Sequence, residues 1–265
     1  MSREHLLQVF MDRYYPAVLP KVEPPADFKE RAAQYAGSYR SNRMNFSKIE
    51  KIFYGLNATK VAPTEDNTLL ISGLMGPGAS QWVEVAPDTF REKDSDKTVA
   101  FLRDEAGEVS HIAIPFAFMA SFKITLLETM EFHGFLLALV VLASIVAIVG
   151  AIMHRRDMVS GPRRARGLAA INGAVLIVAI GLLVATVAIT ASNPLAGFPG
   201  IVYGALSLFF LSIALGVGVL GCTVTAWRER YWTLATRIRY SIIALLYLSF
   251  TGSLYYWNLI GFHFG

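Results

Sequence analysis

The chain is expected to be an α+β membrane protein, a small antiparallel β domain followed by a four-helix transmembrane bundle. Two observations lead there. Charge is distributed unevenly: nearly all of it lies before Glu131 or in two short clusters beyond. Four long apolar stretches fill the back half, whereas the front half alternates in short runs. The whole is 54% hydrophobic and 17% charged, with mean hydropathy +0.45, against roughly 25% charged in soluble domains. A polar front joined to an apolar back reads as two units.

The apolar stretches run Gly134–Met153, Leu168–Ala191, Ile201–Trp227 and Ile238–Phe262. Each is long enough to cross a hydrocarbon core of about 30 Å at about 1.5 Å per residue. The first three contain no Asp, Glu, Lys or Arg. Between the first two lie His154, Arg155, Arg156, Asp157, Arg163, Arg164 and Arg166; between the last two lie Arg228, Glu229, Arg230 and Arg237, with Arg239 just inside the fourth. The segment Ser192–Gly200 carries no charge. Arg and Lys collect on the cytoplasmic side of short loops. Both basic clusters are therefore expected in the cytoplasm, with the β domain and the C-terminus outside the membrane.

The net charge of +4 and pI of about 9.2 do not point to nucleic acid, because the Arg surplus sits between apolar spans and serves topology. Proton pumps and transporters usually bury ionisable groups in their spans; these spans offer Asn172, Asn258 and scattered Ser and Thr. Aromatics gather near the ends: Trp227, Tyr231, Trp232, Tyr240, Tyr255, Tyr256 and Trp257. Such belts anchor helices at the interface. Small-xxx-small pairs (Gly200 with Gly204, Ala214 with Gly218, Ala143 with Ala147, Ser249 with Ser253) let helices approach closely. The first two pairs are candidate faces for helix–helix association. An anchor or scaffold in the lipid bilayer is the expectation.

Three domains are expected. Residues 1–25 comprise an amphipathic helix, with Leu6, Leu7, Phe10, Met11 and Tyr14 on one face, and the proline-rich linker Pro16–Pro25. Residues 26–119 form the β domain and 120–265 the transmembrane domain. In the β domain, Thr68–Ser72 is an apolar run that ends at Gly73 and the turn Gly76-Pro77-Gly78. Gln81–Val85 alternates and Thr89–Arg91 extends it. Thr98–Arg103 puts Val99 and Phe101 on one face, Asp104–Gly107 turns, and Glu108–Ile114 returns. Short strands with this punctuation predict an antiparallel sheet or small barrel, its core containing Trp82, Phe90, Val99 and Phe101.

No catalytic, cofactor-binding or metal-binding residue is predicted. The chain has no Ser-x-x-Lys, no Gly-x-Ser-x-Gly elbow, no His-Glu-x-x-His and no Gly-rich phosphate loop. Glu128, Glu131 and His133 stand before the first span, where a polar collar explains them better than a metal site. His111 alternates with Ile112 and Ile114 and reads as a surface or satisfied histidine. The lone Cys222 lies in an apolar run and reads as a small buried hydrophobe. The sequons at Asn45 and Asn57 matter only in a glycosylating host.

The stretches FMDRYYP (Phe10–Pro16), PPADF (Pro24–Phe28), YAGSYRSNR (Tyr35–Arg43), LLISG (Leu69–Gly73), WVEVAPDTFRE (Trp82–Glu92) and VAFLRDEAGEVSHI (Val99–Ile112) carry a resemblance. Together with WNLIGF (Trp257–Phe262), they resemble the C-terminal part of bacterial membrane-tailed serine hydrolases of the class C β-lactamase and penicillin-binding-protein type. In that family an extracytoplasmic catalytic domain precedes a small β domain and several helices. The family's catalytic set is Ser-x-x-Lys, Tyr-x-Asn and a Lys- or His-x-Gly triplet. Tyr256-Trp257-Asn258 and His263-Phe264-Gly265 match two of these in spelling only, in or beside the last span, and no catalytic residue is carried over.

The resemblance implies a non-catalytic accessory domain and anchor in the cytoplasmic membrane, partnered by an upstream or separate serine-hydrolase domain. An exported front without a leader, and an amphipathic helix at Met1–Pro16 with nothing to cover it, suggest a fragment, a misassigned start or half of a split gene. Two rivals stand beside this reading. One is a stand-alone ligand-binding or sensing module with an apolar pocket lined by Trp82, Phe90 and Phe101. The other is a membrane subunit of a larger complex.

Overall fold

The computed structural model describes residues 10, 13–14, 22–74, 78–93, 95–115, 119–156, 160–192 and 197–264. The chain forms two compact units. One takes in the chain up to Met44 and Tyr54–Thr125; the other takes in Asn45–Phe53 and Leu126–Gly265. The expected N-terminal helix and linker fall largely outside the described residues, as does most of the turn at Gly76-Pro77-Gly78.

The first unit is a closed antiparallel barrel of eight strands in chain order: β1 (Gly37–Ser41), β2 (Thr59–Pro63), β3 (Leu69–Ser72), β4 (Ala79–Ala86), β5 (Thr89–Glu92), β6 (Thr98–Arg103), β7 (Val109–Ala113) and β8 (Ala120–Ile124). Pairing of β1 with β8, Ser38 opposite Ile124 through Ser41 opposite Ser121, closes it. Closure removes free sheet edges. The barrel therefore reaches past residue 119, where the sequence placed the end of the β domain. Thr89–Arg91 does not continue β4; it pairs back against it, Phe90 opposite Glu84. The turn Pro87-Asp88 reverses the chain with Asp88 at φ +58°, a left-handed conformation that Asp tolerates better than most residues.

Alternation decides what fills the barrel. Leu69 and Ile71 are buried while Leu70 is exposed, and Val99 and Phe101 are buried while Leu102 is exposed. A short helix, α1 (Phe28–Arg31), and the 3-10 turn Ala32–Gln34 add Phe28, Ala32 and Tyr35 to the same core. The rings interlock. Phe28 meets Phe90 at 5.5 Å between centroids, Tyr35 meets Phe90 at 5.0 Å and Phe101 at 4.9 Å, and Phe90 meets Phe101 at 5.2 Å. Eight strands enclose just enough space for side chains to fill. Phe90, Trp82 and Phe101, at 0%, 2% and 3% exposure, belong to that filling.

The second unit is helical: α3 (Met130–Met153), α4 (Ser160–Ser192), α5 (Ile201–Arg228) and α6 (Leu234–Tyr256). The short α2 (Lys51–Leu56) straddles the division between the units. Three of the helices, α3, α4 and α5, are long and apolar enough to cross a membrane. The fourth expected span falls short of that measure. α6 carries Arg237, Arg239 and four tyrosines, and it stops at Tyr256 instead of running to Phe262. The stop is a Schellman turn: Leu259 N–H donates to Leu254 O at 2.8 Å, Asn258 N–H donates to Tyr255 O at 3.1 Å, and Asn258 takes φ +55°. α4 begins eight residues before the predicted span, so Arg163, Arg164 and Arg166 lie on helix and not in a loop.

The four helices share one core, and hydrogen bonds between neutral groups cross it. Ser212 Oγ donates to Asn172 Oδ1 at 2.8 Å, joining α5 to α4. Tyr240 OH and Tyr247 OH donate to Ala165 O and Ala169 O at 3.0 and 3.2 Å, joining α6 to α4. Gly173 permits this closeness, since a Cβ there would stand 2.9 Å from Tyr247 OH and 3.0 Å from Ser144.

Candidate functional site

Four charged residues of the barrel unit, Arg31, Glu84, Asp88 and Arg103, come together beside α1. Glu84 is 5% exposed and shares the inward face of β4 with Trp82, two residues earlier. A bulge between Glu84 and Ala86 shifts the strand's register just after it. An unpaired carboxylate at such depth would cost several kcal/mol. Arg31, the last residue of α1, supplies the pair. Its Nη1 donates to Glu84 Oε1 at 2.6 Å and its Nη2 bridges Oε2. The bond to Glu84 holds the Arg31 guanidinium charged, its pKa raised further still.

A second pair stands alongside. Arg103, at the end of β6, clamps Asp88 with two bonds, Nε to Oδ2 at 2.9 Å and Nη2 to Oδ1 at 2.7 Å. Its Nη1 also donates to Gly107 O at 2.8 Å and Gln34 Oε1 at 3.1 Å. Tyr35 OH donates to Asp88 Oδ1 at 2.7 Å. The Arg103 bonds hold the Asp88 carboxyl below the ordinary carboxylate range. Burial, reinforced by the bond to Asp88, pushes the Tyr35 phenol up to about 12. Lys123 of β8 donates from Nζ to Gln34 O at 2.8 Å, and partial burial lowers its pKa.

Arg31, Gln34, Tyr35, Glu84, Asp88 and Arg103 line an open cleft of about 420 Å³, rimmed by Pro25, Val85 and Pro87. Two arginines face two carboxylates, so the cleft is polar but locally balanced. Among its described lining residues there is no Ser, Cys or His. Its chemistry is that of a hydrogen-bonding surface.

No family model matches the chain, and no curated protein or solved structure is significantly similar to it. Assignment of function therefore rests on the residues themselves.

The residues weighed from sequence are scattered. His111 is exposed on β7, its Nδ1 2.9 Å from Ser110 Oγ. His133 departs from the expected polar collar. It is buried at 7% exposure, its Nδ1 lies 2.7 Å from Ser253 Oγ, and its ring stacks on Tyr256. This Ser–His contact ties α3 to α6 beneath 7% exposure on both sides. Among the described residues no three His, Cys, Asp or Glu side chains are grouped to hold a metal. Cys222 is half-buried on α5.

Asn258 and His263 serve an unforeseen segment. Asn258 Nδ2 donates to Phe46 O at 2.9 Å and Lys48 O at 3.0 Å, and Ile49 N–H donates to His263 O at 2.9 Å. Of the small residues proposed for association, Gly218 is already used inside the chain, since a Cβ there would lie 2.8 Å from Leu168 Cδ2. Gly200, Gly204 and Ala214 are exposed. The Arg31–Glu84 and Tyr35–Asp88 contacts join residues 53 positions apart, and no local motif announces them.

Proposed function

We propose that the chain is a non-catalytic accessory barrel and membrane anchor working with a serine hydrolase of the β-lactamase-like type, outside the cytoplasmic membrane of a bacterium. The observation that carries the scaffold reading is the barrel's interior. Interlocked Phe28, Tyr35, Phe90 and Phe101 fill it, and three helices suited to crossing a membrane accompany it on the same chain. A rigid, filled barrel offers its outside to a partner, and the balanced cleft at Arg31, Glu84, Asp88 and Arg103 is the most polar place for contact. The hydrolase itself is supported by the motif resemblance alone.

In this reading α6 completes the membrane domain as a fourth span. The Arg-rich ends of the helices lie in the cytoplasm and the barrel outside, as the bias of Arg155, Arg156, Arg163 and Arg164 against an uncharged Ser192–Gly200 favours. The test is photo-crosslinking in native membranes from a residue placed at the exposed Val85. The captured polypeptide, or the remainder of the same polypeptide, should be labelled by a fluorescent penicillin or fluorophosphonate. Capture of only unlabelled protein contradicts the hydrolase partnership. Stoichiometric labelling of a serine within the present chain contradicts its non-catalytic role.

A further inference from the structure

Where the chain passes from α3 to α4 and from α5 to α6, positive charge collects. Residues 154–166 hold five arginines against Asp157, and residues 228–239 hold four against Glu229. Glu229 already accepts a hydrogen bond from Tyr231 OH at 2.7 Å. At this end of the helical unit, α3, α4 and α6 enclose a small pocket of about 40 Å³. At roughly 10–15 Å³ for each water-sized group, it takes about three of them. That suits the oxygens of one phosphate group and is far too small for a drug-sized ligand.

The lining is apolar at Val146, Ala147 and Ile243 and basic at His154, Arg166 and Arg239, and its described residues include no Asp or Glu. Arg239 is exposed and has no hydrogen bond or ion pair among the described residues. His154 bonds its own helix, with Nδ1 3.0 Å from Gly150 O, which leaves Nε2 uncommitted. Arg166 stands over the Trp232 ring, 5.0 Å from its centre. It brings charge to the pocket, while the open donors belong to Arg239. The two guanidinium groups repel one another. Trp232, also in the lining, buries its Nε1 with no hydrogen-bond partner among the described residues. An anion in the pocket relieves the repulsion and offers that donor an acceptor.

The planar fork of an arginine matches phosphate oxygens, and basic pockets between membrane helices take the headgroups of anionic lipids. We infer that this pocket binds a phosphate group, held by Arg239 with Arg166 and Trp232 beside it. The group can be carried by an anionic membrane lipid, its acyl chain running along the exposed Val146, or by free phosphate. Neither source depends on a hydrolase partner or on which side of a membrane this end faces.

The experiment uses the full chain in detergent. Native mass spectrometry follows titration with phosphatidylglycerol and, separately, with phosphatidylcholine, whose ammonium offsets its phosphate charge; calorimetry follows inorganic phosphate. Phosphatidylglycerol should be retained at least about tenfold more strongly than phosphatidylcholine. Arg239→Gln should weaken that retention about tenfold. Gly150→Leu should do the same without changing charge, since it fills the pocket from a position where a Cβ meets nothing within 4 Å. Arg228→Gln, on a helix that does not line the pocket, should stay within about twofold. Circular dichroism melting checks that each variant is folded, and Gly150→Leu carries the test if Arg239→Gln is not. Phosphatidylglycerol preference with this pattern assigns the site to lipid. Saturable binding of inorganic phosphate with the same pattern, and no preference between the lipids, assigns it to free phosphate. Equal retention of the two lipids without phosphate binding overturns the inference, as does binding unchanged in the folded Arg239→Gln or Gly150→Leu variant. A loss in Arg228→Gln as large as in Arg239→Gln also overturns it, because a diffuse basic surface then explains the binding.

Discussion

In the barrel, Glu84 is 5% exposed and meets Arg31 across 53 residues of chain; in the helical unit, Asn172 is 0% exposed and meets Ser212 across 40. Each buries a hydrogen-bonded pair, yet one pair is charged and the other is not. The difference follows from what surrounds each pair. Arg31 keeps 34% of its side chain exposed, so water shares the cost of the guanidinium. A helix in hydrocarbon has no such help, and a charge there costs several kcal/mol. The helices therefore join through hydroxyls, amides and carbonyls: Ser212 to Asn172, Tyr240 to Ala165, Tyr247 to Ala169. The barrel can afford Arg31–Glu84 and Arg103–Asp88 because they sit at its open end.

The hardest strain on this contrast comes from the barrel's rings. Phe101 touches Tyr35, Tyr39 and Phe90, so Phe101→Ala should cost about 3–5 kcal/mol. That is comparable to the whole stability of a small domain. Near-ultraviolet dichroism on heating should show the barrel's transition moved down or lost while helical signal persists; an unchanged barrel transition means the interior is not packed as described. Next in size, Arg31→Met strands Glu84 without its partner. With solvent screening discounted, the loss should be about 2 kcal/mol. Arg31→Met together with Glu84→Gln should recover part of it, and a double variant worse than the single one would refute the pairing.

The Asp88 cluster gives the barrel a pH signature. A carboxyl held low when folded contributes stability above its unfolded value, near 3.9, and that contribution fades as pH falls through the folded value. Tyr35 works in the opposite sense. Raised to about 12 when folded, it contributes below its unfolded value of about 10, and the contribution fades as pH climbs through the folded one. Tyr35→Phe should cost about 1 kcal/mol at neutral pH and flatten the alkaline limb of a denaturation series, while Asp88→Asn should flatten the acid limb. An alkaline limb unchanged in Tyr35→Phe assigns that transition to another group. Smallest of all, Asn172→Ala should cost about 0.6–1.7 kcal/mol, as interhelical bonds in membranes do, with no pH dependence near neutrality. A clear pH dependence there breaks the contrast between the two units.

The two units also differed in how much of them could be read in advance. Apolar runs without charge marked α3 and α5 within a few residues, and all of α4 but its Arg-bearing first two turns, because lipid demands composition before it demands detail. Alternation marked β4, β6 and β7, and a short apolar run marked β3. β1 and β8 escaped because Gly37, Arg40 and Lys123 interrupt their apolar pattern, and their pairing joins residues as distant as Ser38 and Ile124. Thr89–Arg91 seemed to prolong β4 because the reversal at Asp88 uses a left-handed aspartate where a glycine would have been conspicuous. The end of α6 was misplaced for the same reason, since Asn258 takes the role that glycine usually signals. The cleft at Arg31 and Glu84 has no local signature; it is assembled by contacts distant in sequence.

The central claim, a barrel outside the membrane on helices whose Arg-rich ends lie in the cytoplasm, has a direct measurement. Single cysteines in a Cys222→Ala background report it, one at Glu105 in the exposed β6–β7 turn and one at Ser160 where α4 begins. Intact cells, or spheroplasts where an outer membrane intervenes, are treated with a membrane-impermeant maleimide. The account predicts labelling at position 105 and protection at position 160 until the membrane is opened. Labelling at 160 with protection at 105 would invert the topology, take the barrel away from any envelope substrate, and contradict the account.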